Sequence, residues 1–245
     1  PDLQGVWDHG TATPLERPDR YEGREFLTSE EVAEANVNAT TFATSERRSE
    51  LSAERDVGLA YNQFWWDYGT TITDDKRTSL IVDPPDGRIP DLTPEAQERT
   101  RAPRQRPVTE RVVLGSVAHG PEDVGLSERC LLGFSSGPPI VPSEYNNILQ
   151  LFQTPDHVVI LTEMIHDARV VPIGDRPPLD EAIGLWSGSA RGYWDGDTLV
   201  VETRNFNGLT KSFSAFGTSS DKVLTERFTR IDPITVNYEW TVEDP

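Results

Sequence analysis

The sequence predicts a mainly antiparallel β fold, either a barrel or a strongly curved sheet, with N-terminal loops and short helices packed over it. Three observations support this: a dense apolar run at 148–171, an Asp-Gly pair within 191–203, and two strand-like segments at 223–242. Short β-branched segments separated by turn residues are typical of antiparallel strands. We expect one domain over 1–245, with a β meander at 148–245 and a wrapping segment at 1–147.

The composition limits the classes of partner. The chain has 41 Asp and Glu against 23 Lys and Arg, a formal charge of −18. Nucleic acids and anionic membranes bind basic patches, so neither is an expected partner; a saline habitat or simple solubility would explain the acidic surface. No apolar run approaches the roughly 20 residues of a membrane span. The single cysteine, Cys130, excludes an internal disulfide and a cysteine-based zinc site.

The apolar run at 148–171 is the centre of the predicted meander. Thr154-Pro155-Asp156-His157 indicates a turn, because Pro fixes φ at the second turn position and Asp bonds the local backbone. Strands are predicted on either side, at Ile148–Gln153 and Val158–His166. The second strand ends in four ionisable side chains within seven residues: Glu163, His166, Asp167 and Arg169.

This charged strand end is the first candidate for chemistry. Histidine is the side chain whose ordinary pKa lies nearest neutrality, so His166 could transfer a proton while Asp167 fixes its tautomer. On a regular strand Glu163 would face away from His166. Arg169 would lie across from His166 if Asp167-Ala168 formed the turn, and could then bind an anionic group. A solvated hairpin tip is the alternative.

The last hairpin predicts its own register. Val223–Ile231 and Thr235–Val242 flank a turn at Asp232-Pro233-Ile234. A three-residue loop pairs Arg227 with Glu239, whereas a two-residue loop would oppose Glu226 and Glu239, so cross-strand charge favours the longer loop. The remaining predicted pairs are Phe228 with Tyr238 and Leu224 with Val242.

This register gives Glu226 two possible roles. It leaves Glu226 on the face that carries Leu224, Phe228, Tyr238 and Trp240. Desolvation among aromatic rings would favour a protonated side chain, which is how a general acid is prepared. The alternative is an ion pair between Glu226 and an arginine that stabilises the fold.

Turn and cap residues predict the other elements. Asp195-Gly196 indicates a hairpin tip, which would place Trp194, Leu199 and Val201 on one face and Arg191, Tyr193 and Glu202 on the other. Helices are expected to start at Thr28-Ser29-Glu30-Glu31 and at Thr93-Pro94-Glu95, the second ending near Arg101. Asn36–Arg55 would be a surface helix or a loop. Arg77–Val82 is predicted to be a strand that ends at a turn over 83–87.

Two segments are candidates for the wall of a ligand site. The Gly- and Pro-rich stretch 115–147 is predicted to be irregular, and a loop of this length is often functional. It carries Glu128, Arg129, Cys130, Glu144, Tyr145, Asn146 and Asn147. Tyr61–Tyr68 has five aromatics in eight residues, and it would either pack outside a sheet or line a cavity with Trp65 and Trp66. The arginine-rich stretch 99–111 indicates an ion-paired loop.

Two resemblances follow from these residues. Gly5-Val6-Trp7 resembles the Gly-x-Trp signature that opens lipocalin-type barrels, although a simply buried Trp would account for it. The blocks YNNILQLFQTPDHVVILTEMIHDARVVPI, RGYWDGDTLVVETRNFN and LTERFTRIDPITVNYEWTVEDP resemble a family of functionally uncharacterised, predicted exported bacterial proteins. This resemblance runs over most of the chain and implies export, which agrees with a first residue that is Pro rather than Met. We therefore expect a periplasmic or secreted protein.

These observations predict an exported enzyme that performs acid–base chemistry, as a lyase, isomerase or hydrolase, on a small, partly apolar molecule in a barrel cavity. The alternative is a non-catalytic, lipocalin-like carrier with the same cavity. No metal, phosphate-loop or serine-nucleophile motif stands out, so no cofactor is expected, although Glu163, His166 and Asp167 could assemble a metal site in space. The oligomeric state stays open. The catalytic candidates are His166, Asp167, Glu226 and Glu163. The substrate-binding candidates are Arg169, Tyr145, Asn146, Glu144, Trp65, Trp66, Tyr238 and Trp240.

Overall fold

The computed structural model describes residues 1–43, 69–101, 120–121, 125–127, 129–133, 137–210 and 218–245. The chain divides into two compact units. The first comprises Pro1–Asp8, Leu92–Val141 and Ile148–Pro245, and the second comprises His9–Asp91 and Pro142–Asn147. The single domain expected from the sequence stays a prediction.

Within the described residues, the first unit contains two four-stranded antiparallel sheets. The strands are β1 (Gly5–Asp8), β2 (Ile148–Gln153), β3 (His157–Thr162), β4 (Ala168–Pro172), β5 (Ser189–Asp195), β6 (Thr198–Arg204), β7 (Val223–Asp232) and β8 (Thr235–Glu243). One sheet has the order β1-β2-β3-β4, and the other has the order β5-β6-β7-β8. The mainly antiparallel β fold is therefore confirmed. No closed barrel forms among the described strands, so lipocalin-like closure is not confirmed.

Alternating apolar residues give the two sheets a shared core. Along β3 every second side chain is buried, as expected for a strand with one inner face. Val158 and Ile160 of β3 belong to the same buried cluster as Leu199 and Val201 of β6 and Phe228 of β7. Trp7, the tryptophan of the Gly-x-Trp signature, packs half-buried against this cluster, and its Nε1 donates to the Leu3 carbonyl over 3.1 Å.

The register predicted for the last hairpin is confirmed. Arg227 pairs with Glu239, and the other two predicted pairs also form. The tip differs in detail, because Asp232 pairs with Thr235 and Pro233-Ile234 makes the turn. A bulge at Ile231 supplies the extra residue that the longer loop was expected to supply.

The Asp-Gly hairpin is displaced by one loop position from its prediction. Asp195 pairs with Thr198, so the loop residues are Gly196 and Asp197, with Gly196 at a φ of 61°. Trp194 now pairs with Leu199. Cross-strand partners shift by two residues, an even number, so the predicted division of side chains between the two faces is unchanged.

Two predicted strands are wrong. Val158–His166 is not one strand: β3 ends at Thr162, and a 3₁₀ turn at Met164–His166 follows. Arg169 consequently pairs with Ile160 on β3 and does not lie across a hairpin from His166. Arg77–Val82 forms no strand beyond an isolated bridge between Arg77 and Phe26. Its backbone N–H groups instead donate to loop carbonyls, including those of Glu25, Pro14 and Leu15.

Both predicted helix starts are confirmed. Helix α1 (Ser29–Ala43) begins with a capping box, in which the Glu31 N–H donates to Thr28 Oγ1 and the Thr28 N–H donates to the Glu31 carboxylate. Helix α2 (Pro94–Arg101) is capped by Thr93, whose Oγ1 accepts the Ala96 N–H over 3.1 Å. No described helix is long and apolar enough to cross a membrane.

Some predictions fall on residues outside the described ranges. They are the aromatic segment Tyr61–Tyr68 with Trp65 and Trp66, the part of Asn36–Arg55 that follows Ala43, Glu128, and most of the arginine-rich stretch 99–111.

Candidate functional site

The two sheets of the first unit are joined by a buried ion pair between Arg169 and Glu226. Arg169 projects from β4 and Glu226 from β7, and their exposed fractions are only 8% and 0%. Arg169 Nη1 donates to Glu226 Oε2 over 2.6 Å, and Nη2 donates to Oε1 over 2.8 Å. The sequence left open an ion pair between Glu226 and an unspecified arginine as the alternative to a general acid, and the structure identifies that arginine as Arg169.

Tyr238 completes this polar cluster. Its hydroxyl donates to Glu226 Oε1 over 2.7 Å and accepts the Ile140 N–H over 2.9 Å. Burial, with the nearby negative charge of Glu226, raises the pKa of Tyr238 well above its ordinary value. The cluster of Arg169, Glu226 and Tyr238 thus satisfies its own hydrogen bonds.

The electrostatics of Arg169 agree with a permanently charged pair. Burial by itself disfavours the guanidinium charge, but the attraction and hydrogen bonds of Glu226 outweigh it and raise the pKa of Arg169 above its ordinary value. Glu226 accepts hydrogen bonds from two charged N–H donors and one hydroxyl. A second carboxylate, that of Asp167, also attracts Arg169.

The connection Glu163–Asp167 between β3 and β4 carries the other three catalytic candidates. Ile165 (φ 61°, ψ 5°) and His166 (φ 45°) are consecutive left-handed residues. This conformation is a genuine outlier for a β-branched residue such as Ile165. It places the His166 side chain in solvent, with Asp167 half-buried beside it.

The polar atoms of this connection are unequally satisfied. Glu163 accepts the Ile148 N–H on Oε2 over 3.3 Å, so it is tied to the start of β2. Asp167 Oδ2 is buried and has no hydrogen-bond partner among the described residues. In the described part of the chain, no hydrogen bond joins the His166 ring to Asp167, so Asp167 does not fix the tautomer of His166. The three side chains form no metal cluster, and none occurs among the described residues.

The loop that precedes β2 approaches this connection. A Cβ added to Gly133 would lie 3.5 Å from Ile165 Cδ1, so Gly133 lies close to the first of the two left-handed residues. Arg129, in the same loop, has a buried Nε without a hydrogen-bond partner among the described residues. The remaining loop candidates, Glu144, Tyr145 and Asn146, belong to the second unit. Trp240 pairs with Glu226 in the sheet register.

Sequence reasoning missed Lys222, a buried charged residue of the first unit. It is 1% exposed, its Nζ has no hydrogen-bond partner among the described residues, and Nζ lies 4.0 Å from the centre of the Phe206 ring. Burial lowers the pKa of Lys222 to about 8, against the attraction of Asp244. The signal was available, because Lys222 continues the alternation of Leu224, Glu226 and Phe228 on the inner face of β7.

Comparisons with protein-family models, with curated proteins and with solved structures found no match for this chain. The family resemblance noted in the sequence therefore stays a prediction. The chemistry of the site has to be argued from its own residues.

Proposed function

We propose that the protein is an exported enzyme that performs cofactor-free acid–base chemistry on a small, partly apolar molecule, with His166 as the proton-transferring group. One observation carries the proposal: the left-handed pair Ile165-His166 holds an exposed imidazole next in sequence to Asp167, whose buried Oδ2 has no hydrogen-bond partner among the described residues. Sparsely populated backbone conformations cost on the order of 1–3 kcal/mol each and cluster at functional sites.

The neighbouring residues have distinct roles in this proposal. Asp167 Oδ2 is an unsatisfied acceptor, and a substrate N–H or O–H group would satisfy it. His166, the residue before Asp167, would then accept a proton from the substrate or donate one to it. Arg169 is occupied by Glu226, so it acts as a positioning residue that holds the start of β4 and attracts Asp167.

One observation favours a second candidate function, a non-catalytic carrier with a lipocalin-like binding mode. The fully buried carboxylate of Glu226 already accepts hydrogen bonds from Arg169 and Tyr238. Polar groups between the sheets therefore need no substrate to satisfy them. In this alternative the cluster only stabilises the fold, and the ligand is held by apolar contact.

Native mass spectrometry of the protein purified from its own host tests both candidates, because it detects a retained small molecule. The mass identifies that molecule, and its conversion is then followed with wild type, His166→Gln and the control His157→Gln. His157 lies at the opposite end of β3 and pairs with Asp156 through Nδ1 at 3.1 Å.

We expect His166→Gln to lower kcat by about 10²–10⁴-fold, the usual contribution of general acid–base catalysis, with little change in binding. His157→Gln should keep wild-type kcat. Binding without conversion by wild type would favour the carrier. Conversion that survives His166→Gln unchanged would overturn the role of His166.

A further inference from the structure

Among the described residues, the second unit contains a buried arginine without an ionic partner. Arg17 is 6% exposed, and its Nε donates to Thr78 Oγ1 over 3.0 Å while Nη1 donates to the Pro85 carbonyl over 2.9 Å. Among the described residues, no carboxylate forms an ion pair with Arg17. Three other arginines of this unit each pair with a carboxylate: Arg24 with Glu31, Arg77 with Asp75 and Arg88 with Asp19.

Arg17 lines a pocket of about 80 Å³. Its other walls include Glu25, Arg77, Ser79 and Ile81. Since one water needs roughly 10–15 Å³ of this kind of space, the pocket has room for a group of a few heavy atoms. Arg17 Nη2 donates no hydrogen bond within the described residues, so the unused donors are on the Nη1/Nη2 edge of the guanidinium.

At Gly87 the backbone passes so close to Ser79 and Arg17 that a larger side chain would not fit. Gly87 has a φ of 72°, and its carbonyl accepts the Arg17 N–H over 2.8 Å. A Cβ at Gly87 would overlap Ser79 Oγ and lie 3.1 Å from Arg17 Nε. Ser79 Oγ is itself fixed by donating to the Ile81 carbonyl over 2.8 Å. Arg17 and Ser79 therefore occupy defined positions.

A buried guanidinium without a counter-charge is unfavourable, and a bound anion would remove that cost. The planar fork of arginine N–H groups matches a carboxylate in two-point geometry. Glu25 on the pocket wall repels additional negative charge, and the second cation of the wall, Arg77, is already paired with Asp75; both facts favour a singly charged group over a phosphate dianion. We propose that this pocket binds the carboxylate group of a small molecule on the Nη1/Nη2 edge of Arg17. The proposal is independent of the chemistry assigned to His166.

The test is a titration of the ¹⁵N-labelled full chain with sodium acetate and, separately, with sodium phosphate, with ionic strength kept constant by sodium chloride. Amide signals of Thr78, Ser79 and Gly87 report on the pocket wall. We expect saturable shifts of these amides with acetate and weaker binding of phosphate.

Two variants separate a specific site from general charge. Arg17→Gln should reduce acetate affinity on the order of tenfold or more, the loss expected for a charge-assisted hydrogen bond. Arg88→Gln, which removes an exposed arginine paired with Asp19, should keep wild-type affinity. If Arg17→Gln does not fold, the wild-type titration decides alone. Absence of saturable shifts at the three amides, or tighter binding of phosphate than of acetate, would overturn the proposal.

Discussion

Arg169 and Lys222 are both buried cations of the first unit, but their surroundings shift their pKa values in opposite directions. Arg169 meets a carboxylate at two points, and its pKa is raised in spite of burial. Lys222 faces an aromatic ring without a hydrogen bond, and its pKa is lowered to about 8. The comparison teaches that the partner, rather than the depth of burial, decides whether a buried charge is kept. Two carboxylates show the same contrast: Glu226 accepts three hydrogen bonds, whereas Asp167 Oδ2 accepts none within the described residues.

The largest expected effect on stability comes from breaking the ion pair between Arg169 and Glu226. Glu226→Gln leaves the Arg169 guanidinium buried without a counter-charge, so we expect the free energy of unfolding to fall by about 3–5 kcal/mol. Urea denaturation at pH 7 measures it. The double variant Arg169→Met with Glu226→Leu should recover most of the loss, because apolar residues often replace a buried pair without penalty. A cost below about 1 kcal/mol for Glu226→Gln would contradict the buried pair.

Removing the charge of Lys222 should instead raise the free energy of unfolding. Lys222 has a folded-state pKa of about 8 against an ordinary 10.5, so the unfolded chain binds more protons between these values and stability rises with pH across this window. The full difference corresponds to about 3 kcal/mol, which is a penalty below pH 8. Lys222→Met should therefore stabilise the protein at pH 7 by a similar amount.

The pH dependence separates this cause from simple packing. Denaturation at pH 7 and pH 10 should show a stability gain in wild type that Lys222→Met reduces. Lys76→Met, at an exposed lysine, should keep the wild-type slope. If stability rises with pH as steeply in Lys222→Met as in wild type, the amine of Lys222 is solvated in the folded protein.

Tyr238→Phe should have a smaller effect. The change removes a hydrogen bond to a charged carboxylate and leaves the Ile140 N–H without its acceptor. Together these predict a loss of about 2 kcal/mol by thermal or urea unfolding. Tyr193→Phe, at an exposed tyrosine of β5, is the control and should be neutral.

Asp167→Asn should have the smallest effect, although it is chemically the same carboxylate-to-amide change as Glu226→Gln. Asp167 Oδ2 has no hydrogen bond to lose, so we expect stability to change by about 1 kcal/mol or less. Equal losses for the two variants in urea denaturation would erase the difference between a partnered and an unpartnered carboxylate.

Local patterns predicted much of the fold. The capping box of Thr28 and Glu31 and the cap at Thr93 depend on residues three apart, and both helices start where expected. The predicted end of the second central strand failed because Ile165 and His166 adopt left-handed φ values, which a β-branched residue such as Ile165 rarely adopts. Likewise, Arg77–Val82 has strand-like residues, but its N–H groups bond to distant loops.

The sequence by itself determined the antiparallel pairing and the faces of the strands, because side chains alternate with a period of two and cross-strand charges select one register. It also placed Glu226 on an inner face among aromatic residues. Only the tertiary structure decided that Arg169 meets Glu226 from the opposite sheet and that Lys222 meets an aromatic ring. It also decided that Arg17 has no carboxylate partner among the described residues. The physical reason is that a charge interacts through space, and these partners lie far apart along the chain.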